Sequence, residues 1–169
     1  LLLTVVTDLV TAVAVGITIA SILFVKRMAD TQSKNTRLVS NPAHSGDLND
    51  EEAAILEKAN GRIVVFHPDG PLSFGSAKDL SRMLLSSKEQ DVLILELSEV
   101  PFIDSSASIA LEDVIVVTQQ NQDTVVICGM NKSVNKTLKK IGVLKLISPG
   151  HIVENRNEAL KLADKILSH

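Results

Sequence analysis

The sequence predicts an α/β domain: a mostly parallel, mixed sheet of about five strands covered by about four helices, preceded by one transmembrane helix. Three observations predict it. From Gly61 onward, short apolar runs (IVVFHP, VLILEL, TVVICGM) alternate with stretches whose apolar residues recur at helical spacing. Helix-capping residues stand at the junctions between the two kinds of segment. Residues 1–25 carry one charge, Asp8, whereas the chain from Lys26 onward reads as a soluble domain.

The opening, LLLTVVTDLVTAVAVGITIASILFVKRM, lacks the basic start and small-residue cleavage site of a secretory signal. It also lacks an initiating Met, and the chain is expected to be a fragment of something larger. Asp8 with Thr7 suits a helix cap, and a buried functional carboxylate is the sharper reading of the same residue. A helix from Leu9 to Met28 would run ~30 Å, the thickness of a bilayer core, with residues 1–6 ending a preceding span. Lys26 and Arg27 place its far end in the cytoplasm. Ala12, Gly16 and Ala20 form a small-residue stripe of the kind that lets membrane helices approach closely.

Residues 29–48 are polar, with loop chemistry in NPAHSGD, and read as a linker. The soluble domain is expected over 49–169. Asn49 with Glu52 can start a short helix through about Ala59. IVVFHP (63–68) is a strand, Asp69-Gly70-Pro71 a turn and LSF (72–74) a short pairing strand. Ser76 to Ser87 is helical, with Ala77, Leu80 and Leu84 inward. VLILEL (92–97) is apolar enough to be buried on both faces. A helix over Ser105 to Asn121 places Ala107, Ala110, Leu111, Val114 and Val117 at helical spacing. TVVICGM (124–130) is the next strand. Asn131 caps KSVNKTLKKI, and Gly142 ends it. LKLI (144–147) is a short strand, and Asn155 with Glu158 opens a last helix through Leu167.

Composition narrows the function. Of 169 residues, 45% are apolar but only 2% aromatic, so the core is built from Leu, Ile, Val and Ala. A net charge of −3 argues against a nucleic-acid surface. The single cysteine, Cys128, excludes an intrachain disulfide and a thiolate cluster and reads as a core residue. His44, His67, His151 and His169 are too scattered for a metal site, and no phosphate-loop glycine pattern or other cofactor signature occurs. Lys132, Lys136, Lys139 and Lys140 form either a solvated helix face or a patch for anionic lipid or substrate.

One stretch has the residues for a functional site. Asp104-Ser105-Ser106 stands at a strand-to-helix junction, where unpaired N–H groups need an acceptor. The plain reading is a cap; the sharper one is phosphorylation of Ser105, favoured by the helix dipole and opposed by Asp104. Catalysis by Ser105 is the weakest reading, since GxSxG is absent and only His67 or His151 is available as a base.

The order strand, turn, short strand, helix, buried strand, then Asp-Ser-Ser-Ala opening a helix resembles the STAS domain. That domain is shared by anti-sigma-factor antagonists and the cytoplasmic tails of SulP anion transporters. In the antagonists the motif is Asp-Ser-Ser-Gly and its first serine is phosphorylated; the matching residue here is Ser105, with Ala107 in place of the glycine. The apolar opening resembles the last SulP span, and the chain is most similar to cyanobacterial SulP members. The resemblance implies a sodium-dependent bicarbonate transporter, not an enzyme, multi-pass in the inner (plasma) membrane with its soluble domain in the cytoplasm. Anion and sodium would bind in spans outside this sequence, and lipid would surround the helix. It also implies a homodimer through the STAS domain. Two surfaces could serve: the region Ile63 to Phe74, with Val65, Phe66, Leu72 and Phe74, or the last helix, with Leu160, Ala163 and Leu167; the strand region is favoured, because sheet edges are templates for pairing. The rival readings are a free-standing phospho-switch and a membrane-anchored serine hydrolase.

Overall fold

The computed structural model describes residues 9–34, 36–39, 48–73 and 90–168. The chain forms two compact units, Leu1–Lys34 and Asn35–His169.

The first unit contributes helix α1 (Leu9–Lys34). It starts where the sequence places it but runs six residues past Met28, because ADTQSK holds no Pro or Gly to stop it. Val10, Val13, Ile17, Ile19, Ile22, Leu23 and Phe24 are all more than half exposed. Among the described residues no helix is long and apolar enough to cross a membrane. The side chains described on α1 run from Val10 to Phe24, about 22 Å at 1.5 Å per residue. The span expected over 9–28 therefore rests on sequence and resemblance.

The second unit is a five-stranded sheet in the order β1-β2-β3-β4-β5. Its strands are β1 (Thr36–Val39), β2 (Ile63–Pro68), β3 (Val92–Glu96), β4 (Thr124–Cys128) and β5 (Ile152–Val153). β2 to β5 pair in parallel, and β1 adds antiparallel to the outer side of β2, with Leu38 opposite Phe66. The helices are α2 (Asp50–Ala59), α3 (Ser105–Gln120), α4 (Lys132–Ile141) and α5 (Arg156–Leu167).

Alternation along the strands divides the core in two. Val64, Phe66, Leu93, Leu95, Val125 and Ile127 point to one face, where they meet Ala107, Leu111 and Ile115 of α3 and Val134 and Leu138 of α4. Ile63, Val65, Val92, Ile94, Val126 and Cys128 point to the other, against Leu56 and Ala59 of α2 and Ala159, Leu160 and Ala163 of α5. Parallel strands covered by helices on both faces have no polar side, which is why these runs do not alternate in polarity.

Several expectations change. The 29–48 segment is not only a linker: the structure places the end of α1 and strand β1 there. β1, and not LSF, is the antiparallel partner of β2; Leu72 makes an isolated parallel bridge to Ile103. LKLI is not a strand. Val143–Leu146 forms a 3-10 turn, since Val143 and Ile147 bury at helical spacing, and Ile152–Val153 pairs with β4 instead. Both expected dimer surfaces are occupied within the chain. Val65, Phe66 and Leu72 are 2% exposed or less, and β2 is flanked by β1 and β3. Leu160 and Ala163 pack on the sheet. The expected 76–87 helix and Phe74 lie outside the described residues, as do Asp8, His44 and His169.

The β4–α4 connection requires glycine. Gly129 has φ +72, and a Cβ there would lie 2.8 Å from the Ser98 backbone nitrogen. Gly61 has φ +87 with open space around it. Gly61→Ala should therefore cost about 1–2 kcal/mol for the left-handed backbone alone. Gly129→Ala should cost about 2–4 kcal/mol, since the clash adds to the same strain. Equilibrium urea unfolding of the two variants measures the difference.

Candidate functional site

The Asp104-Ser105-Ser106 triplet lies at the start of α3. Asp104 has extended backbone (φ −81, ψ 165), and its Oδ1 accepts from Ala107 N at 2.6 Å. Its own N–H donates to Leu72 O at 3.2 Å, and Leu72 N donates to Phe102 O at 3.1 Å, so the 69–72 loop fixes the approach to the helix. Buried Ser108 donates to Asp104 O at 2.9 Å. Asp104 is thus the cap, and Ser105 and Ser106 stand exposed beside it. Phe102 and Ile109, both more than half exposed, flank them.

A second constellation lies at the C-terminal ends of the strands, on the α2–α5 face. One register step beyond the Phe66–Leu95 pair, His67 and Glu96 emerge side by side. Both share the face of Ile63, Val65 and Ile94, so they meet the start of α5. Glu96 is the sole charged residue of β3, and its side chain is 7% exposed. Its Oε1 accepts from Ser98 Oγ at 2.9 Å, and its Oε2 lies 3.1 Å from His67 Nδ1 and 3.5 Å from Arg156 Nη1. Arg156, the first residue of α5, donates through Nε and Nη2 to the two oxygens of Glu52, each at 3.1 Å. Such a two-pronged guanidinium–carboxylate contact is among the stronger charge-assisted pairs. Glu52 also accepts from Asn49 N in the capping box of α2. One side chain therefore closes a helix start and anchors a neighbouring helix.

The electrostatics follow from that geometry. The Glu96 carboxylate 3.1 Å from Nδ1 raises the His67 imidazole above its ordinary value, more than burial lowers it, although the contact lacks hydrogen-bond geometry. Burial alone would push the Glu96 carboxyl up, but His67, Ser98 and Arg156 together hold it below its ordinary value. Burial, with the Glu96 charge behind it, pushes the Cys128 thiol up to about 12, so Cys128 is an inert core residue. The four-residue network forms the floor of an open cleft of about 640 Å³, rimmed by Asp69, Ser98, Glu99 and Glu154.

The two places lie on opposite faces of the sheet. Ser105 opens a helix of the α3–α4 layer, whereas His67 is engaged with Glu96 on the other. His151 closes the 3-10 turn Pro149–His151. The hydrolase reading therefore has no Ser105–His67 pair. Among the described residues, no group of three or more His, Cys, Asp and Glu could hold a metal ion. Lys132, Lys136 and Lys139 line a shallow hollow of about 350 Å³ on α4 with Asn131 and Asn135. The sequence carried a signal for the second constellation: a Glu closing an all-apolar strand is a buried acid in need of a partner. Nothing in the sequence told which partner.

Residues 54–159 match the STAS domain family. The chain belongs to that family. It is 34% identical over 163 residues to the bicarbonate transporter BicA of Picosynechococcus sp., covering 96% of this chain and 29% of that protein. The chain thus spans under a third of the length of that relative. The SulP transporter STAS domain of Vibrio cholerae is 28% identical with a TM-score of 0.61, covering 71% of this chain and 98% of that one. An anti-sigma factor antagonist of Thermotoga maritima, described as putative, shares the fold at 17% identity and a TM-score of 0.53, covering 60% and 86%. The STAS domain here is of the SulP type, and the antagonist branch fits less well.

The capping role of Asp104 has a stability consequence. Asp104→Ala should destabilise the STAS domain by about 1 kcal/mol. Ser105→Ala, at an exposed position outside the cap contact, should stay within about 0.5 kcal/mol of wild type. Urea unfolding measures both.

Proposed function

We propose that the chain is the C-terminal part of a SulP-type secondary anion transporter, with bicarbonate as the anion and sodium as the coupled ion. Helix α1 over residues 9–28 is its final membrane span, and the STAS domain is its cytoplasmic regulator. The observation that carries this reading is the 34% identity to BicA across 96% of the chain, which takes in the apolar helix as well as the domain. The exposed Val, Ile, Leu and Phe side chains of α1 support it, because such a surface needs lipid or neighbouring helices around it. The anion and sodium sites belong to the membrane domain of the full protein, which sits in the inner membrane. Ser105 is its regulatory position, exposed at a helix start where a phosphate is electrostatically welcome.

Flux measurements on the full-length transporter in vesicles test this at matched protein levels. Deleting residues 49–169 should lower bicarbonate flux while leaving substrate binding to the membrane domain detectable. Ser105→Glu should alter flux relative to Ser105→Ala. Unchanged flux in the deletion would overturn the regulatory role of the domain, and equal flux in the two Ser105 variants would leave the cap as the sole role of the triplet.

Homodimerisation belongs to the same proposal. With β2 covered on both sides, β1 is the longer sheet edge left for an isologous contact, and strand edges are templates for pairing. Sedimentation of the chain in detergent should report a dimer at tens of micromolar, and Arg37→Pro in β1 should shift it to monomer.

A further inference from the structure

The charged network at the strand ends unites four elements. His67 comes from β2, Glu96 from β3, Glu52 from α2 and Arg156 from α5. Glu96 holds the network together, and its position is precarious. Its side chain is 7% exposed, and the Oε2 oxygen faces two cations at unequal distances: His67 Nδ1 at 3.1 Å and Arg156 Nη1 at 3.5 Å. The shorter bonds of Arg156 go to Glu52. His67 Nδ1 is itself sealed from solvent and has no partner in hydrogen-bond geometry among the described residues, so its 3.1 Å approach to Glu96 is a contact of charges and not a hydrogen bond.

With His67 protonated, two cations face two carboxylates, and the floor of the cleft is neutral. With His67 neutral, a buried carboxylate pair shares one guanidinium. A neutral imidazole stays beside Glu96 without its charge, and Nδ1 has no hydrogen bond to hold it there. Among the described side chains, the other charged groups lining the cleft are acids: Asp69 from the turn after β2, Glu99 after β3 and Glu154 before α5. Cys128 of β4 remains a neutral thiol. From β1, Arg37 stands opposite His67 in the strand register. Glu96 must then draw Arg156 away from Glu52 or admit water through the open cleft.

We propose that His67, Glu96, Arg156 and Glu52 form a proton-operated clamp, in which protonated His67 holds the starts of α2 and α5 against the strand ends and neutral His67 releases them. Release is local. Leu56, Ala159 and Leu160 stay packed on the sheet, and the Lys58–Asp164 pair at 2.7 Å ties α2 to α5 at a separate point. The clamp is a property of the domain and stands whatever the full protein carries.

The direction of the pH dependence is fixed by linkage. His67 is raised in the folded state, so its contribution is full below the ordinary imidazole value of 6.5 and is lost as pH rises through the folded value. Glu96 is lowered, so its contribution is present above the ordinary 4.5 and is lost as pH falls through its folded value. The network is fully assembled between those two ordinary values and opens on the alkaline side, where histidine serves as a switch.

The experiment uses the full chain in detergent micelles. NMR of the labelled imidazoles gives the His67 titration directly. Hydrogen exchange of the α2 and α5 segments, corrected for the intrinsic pH dependence of exchange, is followed between about pH 5.5 and 8.5. The expected result is a His67 midpoint above 6.5 and a rise of roughly threefold or more in corrected exchange at the starts of both helices. His67→Gln should flatten that rise, while exchange in α3, on the other face, keeps one level throughout. A His67 midpoint at or below the ordinary value would overturn the clamp, as would the same rise in His67→Gln. Should that variant fail to fold, the wild-type imidazole titration decides alone.

Discussion

β2, β3 and β4 are apolar on both faces, and the rest of the domain follows from covering them. A parallel strand with no solvated side needs a helical layer above and another below. α3 and α4 supply one, and α2 and α5 the other. The two layers meet the sheet through different halves of the same strands, Val64 and Phe66 to one side and Ile63 and Val65 to the other. Polar chemistry is thereby excluded from the strand bodies and concentrated where the strands end.

Those ends differ in what they present. On the α3 side, Asp104 satisfies the helix start and leaves two hydroxyls in solvent. On the α5 side the acid is drawn inward. Glu96 ends a fully buried strand, and its charge is tolerable because Arg156 and His67 converge on it. Removing water from a carboxylate costs several kcal/mol unless partners replace it. The start of α5 is accordingly fixed by electrostatics as well as by the Asn155 cap.

The links between elements also couple distant parts of the domain. Glu52 serves the α2 capping box and the Arg156 pair at once, so a change in the charge of one strand end is felt at two helix starts. The Gly129 turn lies directly against the Ser98 backbone, and Ser98 in turn donates to Glu96. The loops around the cleft therefore have little freedom to rearrange independently of the network.

The sequence by itself determined the α/β class, the doubly buried strands, a helix opening at Ser105 and the caps at Asn49, Asn131 and Asn155. Each of these is local: period, run length or a side chain reaching its own backbone three residues on. That Asp104 and not Ser105 caps α3 came from the structure. Tertiary structure decided what depends on partners distant in the chain. Four residues of a polar connector became β1 because β2 offered an unpaired edge. VLKL coiled into a 3-10 turn because its apolar residues faced a helical layer, leaving Ile152–Val153 to extend the sheet. The His67–Glu96–Arg156–Glu52 network joins residues up to 104 positions apart. Of its members, Glu52 was legible as a capping partner and His67 as a strand residue; Glu96 and Arg156 were not singled out. Their convergence was not legible, because strand register and helix docking set which buried charges meet.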